Sequence, residues 1–146
     1  MDLVSLLAGA PLFEMLSNQE LEAMASVLVE RRFAKGATIF TEGALGDGLY
    51  VVAQGEVEVL RHGGATPLAT LGPGDTFGEM ALVDTEYRSA TVRASSDTVT
   101  LQLTPEAFTR FRKEHREGCT WLILNIARLL SVRLREANLR LARAGL

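Results

Sequence analysis

The chain has 146 residues, 47% of them hydrophobic and 23% charged, which suits one ordinary soluble domain and excludes disorder. Its formal net charge of -3 excludes a whole-surface attraction to nucleic acid or anionic membrane. The single cysteine, Cys119, excludes an internal disulfide, a cysteine-rich zinc site and a thiolate-held iron–sulfur cluster.

The N-terminus opens on Asp2, and its apolar run is cut by Gly9 and Pro11, so it lacks the layout of a secretory signal. No apolar run reaches the roughly twenty residues of a membrane helix, so a cytoplasmic protein without a membrane segment is expected. Leu3, Leu6, Leu7, Phe13 and Leu16 suit a short helix and a turn around Gly9 to Pro11. Ser17 and Glu20 then form the S-x-x-E pattern in which each side chain caps the other's amide, and Leu21, Met24, Ala25 and Leu28 follow at helical spacing. This predicts N-terminal helices over 1–28.

Beyond Glu30 the period falls to two, and glycines separate short β-type runs. Strands are predicted at Val29 to Phe33, Thr38 to Phe40, Leu49 to Ala53, Glu56 to Leu60, Pro67 to Leu71, Ala90 to Ala94 and Thr98 to Leu103. The expected fold class is mainly β with flanking helices: a double-stranded β-helix, or jelly roll, over 29–103. Thr104 and Pro105 make an N-cap and N1 pair that restarts the helical period, with Phe108 and Phe111 on one face. A break is expected around Glu117 and Gly118, then a long helix from about Cys119 to Arg143 within C-terminal helices over 104–146.

Along that helix Ile123, Ala127, Leu130, Leu134, Ala137 and Leu141 repeat with spacings of four and three, forming an a/d seam. Leu122, Ile126 and Leu129 form a second stripe. Two apolar faces ask for two partners: the stripe faces its own barrel and the seam a second copy, giving a homodimer. The plainer alternative is one helix buried broadly in its own domain.

The stretch Phe77 to Ala90, FGEMALVDTEYRSA, carries the chemistry. Gly78 is expected to open a short helix to about Val83 whose first amides lack intrahelical partners and face an anion. Arg88 supplies a planar fork suited to phosphate, Ser89 a hydroxyl, and Ala90 room. A carboxylate beside a phosphate is repulsive unless it has another task, and Glu79 could accept a hydrogen bond from a sugar hydroxyl. Taken alone, Glu79 and Arg88 could equally form a surface salt bridge.

Three longer strings resolve the matter by resemblance: IFTEGALGDGLYVVAQGEVEVL at Ile39 to Leu60, GPGDTFGEMAL at Gly72 to Leu82 and RSATVRA at Arg88 to Ala94. Over about Leu12 to Leu134 the chain resembles the cyclic-nucleotide-binding domain family of the catabolite activator and protein kinase A regulatory subunit type. The nine-residue step from Glu79 to Arg88 is similar to that family's phosphate-binding cassette, here 77–90. The resemblance implies Glu79 on the ribose 2′-hydroxyl, Arg88 and Ser89 on the cyclic phosphate, and backbone contacts from Gly78, Met80 and Ala81. It also implies Val59 and Leu68 in a base pocket; unaided, both read as barrel core. Tyr87 stands where many relatives carry proline, so the loop from Val83 to Tyr87 lacks that rigid ring. Arg133 lies near a position where the catabolite activator has a threonine reaching the adenine. Arg128 or Arg133 could stack on the purine as a cation, or each could belong to an arginine-rich solvated face.

The expected function is a cyclic-nucleotide sensor, with cyclic AMP favoured over cyclic GMP, that signals by moving its C-terminal helix to cap the base. It requires no cofactor. Its protein effector is unknown, and no winged helix-turn-helix follows the long helix, so specific DNA binding by this chain alone is not expected. The chain could be a free-standing sensor or the sensory part of a longer protein. The competing reading is a nucleotide-free dimerisation scaffold of the same fold. An enzyme is not expected: the two histidines, His62 and His115, lack metal-ligand spacing, and no set of nucleophile, base and orienting acid is apparent.

Overall fold

A computed structural model describes residues 2–61, 66–83 and 87–145. His62, and most of the loop between Val83 and Tyr87, lie outside the described residues.

The N-terminal segment folds as α1 (Leu3–Ala8), a 3-10 turn (Pro11–Phe13) and α2 (Asn18–Val27). Asp2 caps α1 through Val4 N–H, and the Ser17–Glu20 box is reciprocal: Glu20 N–H donates to Ser17 Oγ at 3.2 Å and Ser17 N–H to Glu20 Oε1 at 2.8 Å. Among the described residues eight strands follow: β1 (Val29–Phe33), β2 (Thr38–Phe40), β3 (Leu49–Gln54), β4 (Val57–Leu60), β5 (Ala69–Leu71), β6 (Thr76–Phe77), β7 (Thr91–Ala94) and β8 (Thr98–Leu103). α3 (Met80–Val83) sits between β6 and β7, and α4 (Pro105–Glu114) and α5 (Arg116–Arg143) close the chain.

Two antiparallel four-stranded sheets, β1-β8-β3-β6 and β2-β7-β4-β5, form the expected roll. β3 pairs β8 from Leu49↔Leu103 to Val52↔Thr100 and then slips by a bulge before Gln54↔Val99. β6 was not predicted: it has two residues, too few to display alternation, and is defined by its pairing to β3 through Tyr50↔Phe77 and Val51↔Thr76.

The interior has two clusters. The larger joins Leu49, Val51, Leu101 and Leu103 of one sheet to helix residues Leu7, Leu12, Phe13, Met24, Phe108, Phe111, Leu122 and Ile126. The smaller lies inside the roll and is built on Tyr50, Val52, Val57, Phe77 and Val92. Tyr50 and Phe77 stack with ring centroids 5.2 Å apart, and Phe40 tilts against both.

The helix break falls at His115, not at Glu117 and Gly118. His115 leaves helical geometry (φ -134°, ψ 70°), and Gly118 lies inside α5. Gly118 is there for space: a β-carbon on it would stand 2.6 Å from the Glu20 carboxylate and 3.2 Å from the Phe111 ring. A glycine within a helical pattern can mark close packing as readily as an ending.

α5 buries Leu122, Asn125 and Ile126, and Leu129 is half-buried, so the second stripe faces the chain's own core as expected. Ile123, Ala127, Leu134, Ala137 and Leu141 are exposed. Leu130 differs from its seam neighbours, being half-buried against the larger cluster.

Candidate functional site

The site lies where β6 leaves its sheet. Gly78 follows Phe77 with φ +77°, a conformation that favours glycine, and a β-carbon there would lie 2.6 Å from Arg88 Nη1. The missing side chain therefore makes room first for the arginine. Gly78 precedes the helix: α3 begins at Met80, and Ala81 N–H already donates to Gly78 O at 3.1 Å.

Arg88 is positioned by backbone pairing on one side and by side chains on the other. Tyr87 forms a bridge with Leu45, Arg88 N–H donates to Ala44 O at 2.7 Å, and Gly43 N–H donates to Arg88 O at 2.8 Å. The guanidinium is buried, with its carbon 3.9 Å from the centre of the Phe40 ring. Its Nη2 donates to Asp47 Oδ1 at 2.7 Å and to Gly48 O at 2.8 Å, and Nη1 donates to Gly78 O at 3.2 Å.

Asp47 was missed in the sequence, where it reads as part of glycine-rich punctuation. It accepts from Tyr50 O–H at 3.0 Å, and its backbone oxygen accepts from Gln102 Nε2 at 2.8 Å. Burial, and then the adjoining Asp47 charge, push the Tyr50 hydroxyl up to about 12, so it remains a donor to Asp47 at neutral pH. Asp47, which holds Arg88, is thus itself held from two strands, its carboxylate by Tyr50 of β3 and its backbone oxygen by Gln102 of β8.

Glu79 and Arg88 do not pair with each other. Glu79 is 3% exposed, and its Oε1 takes a close ion pair from Arg133 Nη1, while Arg133 Nη2 donates to Thr76 O at 2.9 Å. Two buried polar atoms have no hydrogen-bond partner among the described residues, Glu79 Oε2 and Arg88 Nε. One acceptor and one donor are left over, each on a residue of the 77–90 stretch, and native structures rarely leave such atoms unsatisfied.

Both residues line one cavity of about 530 Å³ together with Gly78, Met80, Ala81 and Ser89. Phe40, Val59, Leu68, Ala69, Leu71 and Val92 form its apolar walls, and Arg133, Glu136 and Arg140 of α5 stand along one side. Leu68 is 43% exposed, so it is a wall residue and not the core residue that its hydropathy suggests. Arg140 Nη1 donates to Leu68 O at 3.3 Å.

Of the two arginines considered for the base, only Arg133 reaches the cavity. Arg128 is outside its lining and directs Nη1 to Asn125 Oδ1 at 3.4 Å. Five helical residues separate the two, which turns one about 140° from the other around the axis.

A second concavity of about 420 Å³ at the α4–α5 corner is lined by Arg112, Lys113, Arg116, Cys119, Thr120 and Ile123. Burial pushes the Cys119 thiol up, outweighing the nearby Arg112 charge, so the sulfur is poorly suited to act as a nucleophile. Among the described residues no group of three His, Cys, Asp or Glu side chains could hold a metal ion, and no helix is long and apolar enough to cross a membrane.

A family model described as cyclic nucleotide-binding domain matches residues 30–115. The cyclic AMP receptor protein of Thermus thermophilus is 41% identical over 139 residues, covering 91% of this chain and 61% of the receptor's own length. The crystal structure of a cyclic nucleotide-binding domain from Methylobacillus flagellatus superposes with a TM-score of 0.85 at 26% identity, over 99% of this chain and 83% of that one. The regulatory domain of Toxoplasma gondii PKA, co-crystallised with cAMP, gives a TM-score of 0.68 at 30% identity, over 75% of this chain and 42% of that one.

Proposed function

The chain belongs to the cyclic nucleotide-binding domain family, a regulatory ligand-binding family and not a catalytic one, and we propose that it serves as a cyclic-nucleotide sensor. The observation that carries this reading is the pair of unpartnered buried atoms in one cavity, Arg88 Nε and Glu79 Oε2. A cyclic nucleotide brings both missing partners: a phosphate oxygen to accept from Nε and a ribose hydroxyl to donate to Oε2.

In this reading Arg88 and Ser89 hold the phosphate against the Gly78, Met80 and Ala81 backbone, Glu79 holds the ribose, and Val59 and Leu68 flank the base. Cyclic AMP is favoured over cyclic GMP. The walls beyond the cassette are mainly apolar, and guanine, which has a ring N–H and a carbonyl oxygen that adenine lacks, would bury more polar atoms there at a cost. The names of two relatives, the cyclic AMP receptor protein and the PKA regulatory domain crystallised with cAMP, point the same way.

Residues 1–28, 29–103 and 104–146 act in this proposal as parts of one domain. Occupancy of the cavity is communicated by α5, whose Arg133 and Arg140 already touch the cavity wall, to a protein partner or a fused module. A ligand shifts α5 only in so far as it binds one helix position more tightly than another. The exposed row Ile123, Ala127, Leu134, Ala137 and Leu141 is the surface on which a second copy would pair.

Isothermal titration of cyclic AMP and cyclic GMP against wild type and Arg88→Ala tests the sensor. Wild type should bind cyclic AMP more tightly. Arg88→Ala should lose at least about tenfold in affinity, as expected for a charge-assisted hydrogen bond. A wild type that binds neither nucleotide sinks the proposal and leaves the dimerisation scaffold.

A further inference from the structure

We propose that the concavity at the α4–α5 corner docks an acidic segment of a protein partner, held by Arg112, Lys113 and Arg116. It shares no lining residue with the cavity of Glu79 and Arg88, so the proposal stands whether or not that cavity takes a nucleotide.

The charge at this corner is out of keeping with the rest of the chain. Acidic residues outnumber basic ones by 18 to 15, yet the concavity is lined by three cations and no acid. All three are exposed, and none has an ion pair or a side-chain hydrogen bond among the described residues. Glu114 and Glu117, the acids nearest in sequence, lie outside the lining and pair with none of them. Other arginines do have carboxylate partners: Arg32 on Glu30, Arg88 on Asp47, Arg93 on Glu58 and Arg133 on Glu79.

Helix stability accounts for two of these cations and not for the third. Arg112 and Lys113 stand in the last turn of α4, where the helix dipole favours positive charge. Arg116 opens α5, at the end that the dipole itself makes positive, so the helix gains nothing from its charge. Like charges gathered at one hollow also repel one another, and an acidic partner relieves that repulsion.

The form of the site selects among anions. A small inorganic anion is best held by buried donors fixed in place, whereas these cations are exposed on long stems. Carboxylates spaced along a peptide can meet each of them separately. A nucleic acid or an anionic membrane would extend over the surrounding surface, where acids are in excess. Ile123, 42% exposed in the same wall, offers contact to an apolar side chain of the partner. It also opens the row on which a second copy would pair, so the assignment rests on the cations.

The test is titration of the isotope-labelled chain with an acetylated peptide repeating Glu-Glu-Leu, followed by amide NMR shifts. The shifts should be confined to about 110–123, and binding should weaken as salt rises. Arg112→Glu/Arg116→Glu should lose about tenfold or more in peptide affinity. Arg135→Glu/Arg143→Glu, which makes the same change in net charge on exposed residues outside both cavities, should lose less than about threefold. Arg112→Gln/Arg116→Gln is the milder pair should the reversal fail to fold, and it should also weaken the peptide more than the control does. Absence of peptide binding, shifts centred elsewhere, or equal losses in the two charge-reversed variants overturns the proposal. So does a Gln-Gln-Leu peptide that binds as well, since apolar contact alone would then suffice. Tighter binding of inorganic phosphate or of a single-stranded DNA oligonucleotide at the same amides replaces the acidic peptide with that ligand. Dissociation of a wild-type dimer by Arg112→Glu/Arg116→Glu in sedimentation would give the corner to a second copy and overturn the proposal too.

Discussion

The two halves of α5 are attached to the molecule by different physics. In the first half Leu122 and Ile126 are at most 2% exposed, and Asn125 donates through Nδ2 to Leu12 O at 2.9 Å and Glu14 O at 2.8 Å, locking the helix to the 3-10 turn. From Val132 onward no residue of α5 is buried, and the recorded attachments are guanidinium groups on Glu79, Thr76 O and Leu68 O. Apolar burial has no substitute once lost, whereas a polar contact can be exchanged for one to water or ligand at a small net change. One helix thus combines a fixed anchor with an end that can respond.

The sharpest way to break this contrast is to remove the anchor. Leu122→Ala leaves a void in the larger cluster and should cost about 2 to 5 kcal/mol in chemical denaturation, a large share of the stability of a domain this size. A loss below about 1 kcal/mol would mean that the first half is not the anchor.

The opposite result is expected on the outer face of the second half. Leu134 is 63% exposed, so Leu134→Glu should change stability by no more than about 0.5 kcal/mol. Its effect should appear in sedimentation, where wild type is expected as a dimer and the variant as a monomer. A monomeric wild type refutes the seam. Leu130, named with the seam in the sequence, is the poorer probe because it also packs against its own core.

Legibility in the sequence followed the range of the interaction. The Ser17–Glu20 box and the Thr104–Pro105 start are local, and both caps are present. Strand identity was readable because glycines bound short β-rich runs, although ends shifted by one or two residues, as at Val57, Ala69 and Thr91. The step from Glu79 to Arg88 was recognisable as a string, but its wiring was not. Asp47 sits 41 residues from Arg88 and Arg133 sits 54 from Glu79, and no spacing rule links positions so far apart without the topology. An acid flanked by Gly46 and Gly48 and followed by Tyr50 was the available hint for Asp47. Helical phase alone could have separated Arg133 from Arg128, since Arg133 lies between Leu122 and Ile126 on the wheel while Arg128 points away. The Gly118 error came from treating glycine as punctuation when a neighbouring carboxylate and aromatic ring required its small size.

The gentlest perturbation is Arg140→Ala. Its bond to Leu68 O is 3.3 Å long and exposed, so the change in global stability should stay below about 0.5 kcal/mol. Local opening is a separate quantity, because a segment held by few solvent-accessible contacts exchanges its amides without global unfolding. Faster hydrogen exchange is therefore expected over the last turns of α5, with Leu122 to Ile126 unchanged. If Arg140→Ala accelerated exchange in both halves alike, α5 would be opening as one unit, and the division between an anchored half and a responsive half would be wrong. If it accelerated neither, Arg133 alone would hold the responsive end, through Glu79 and Thr76 O.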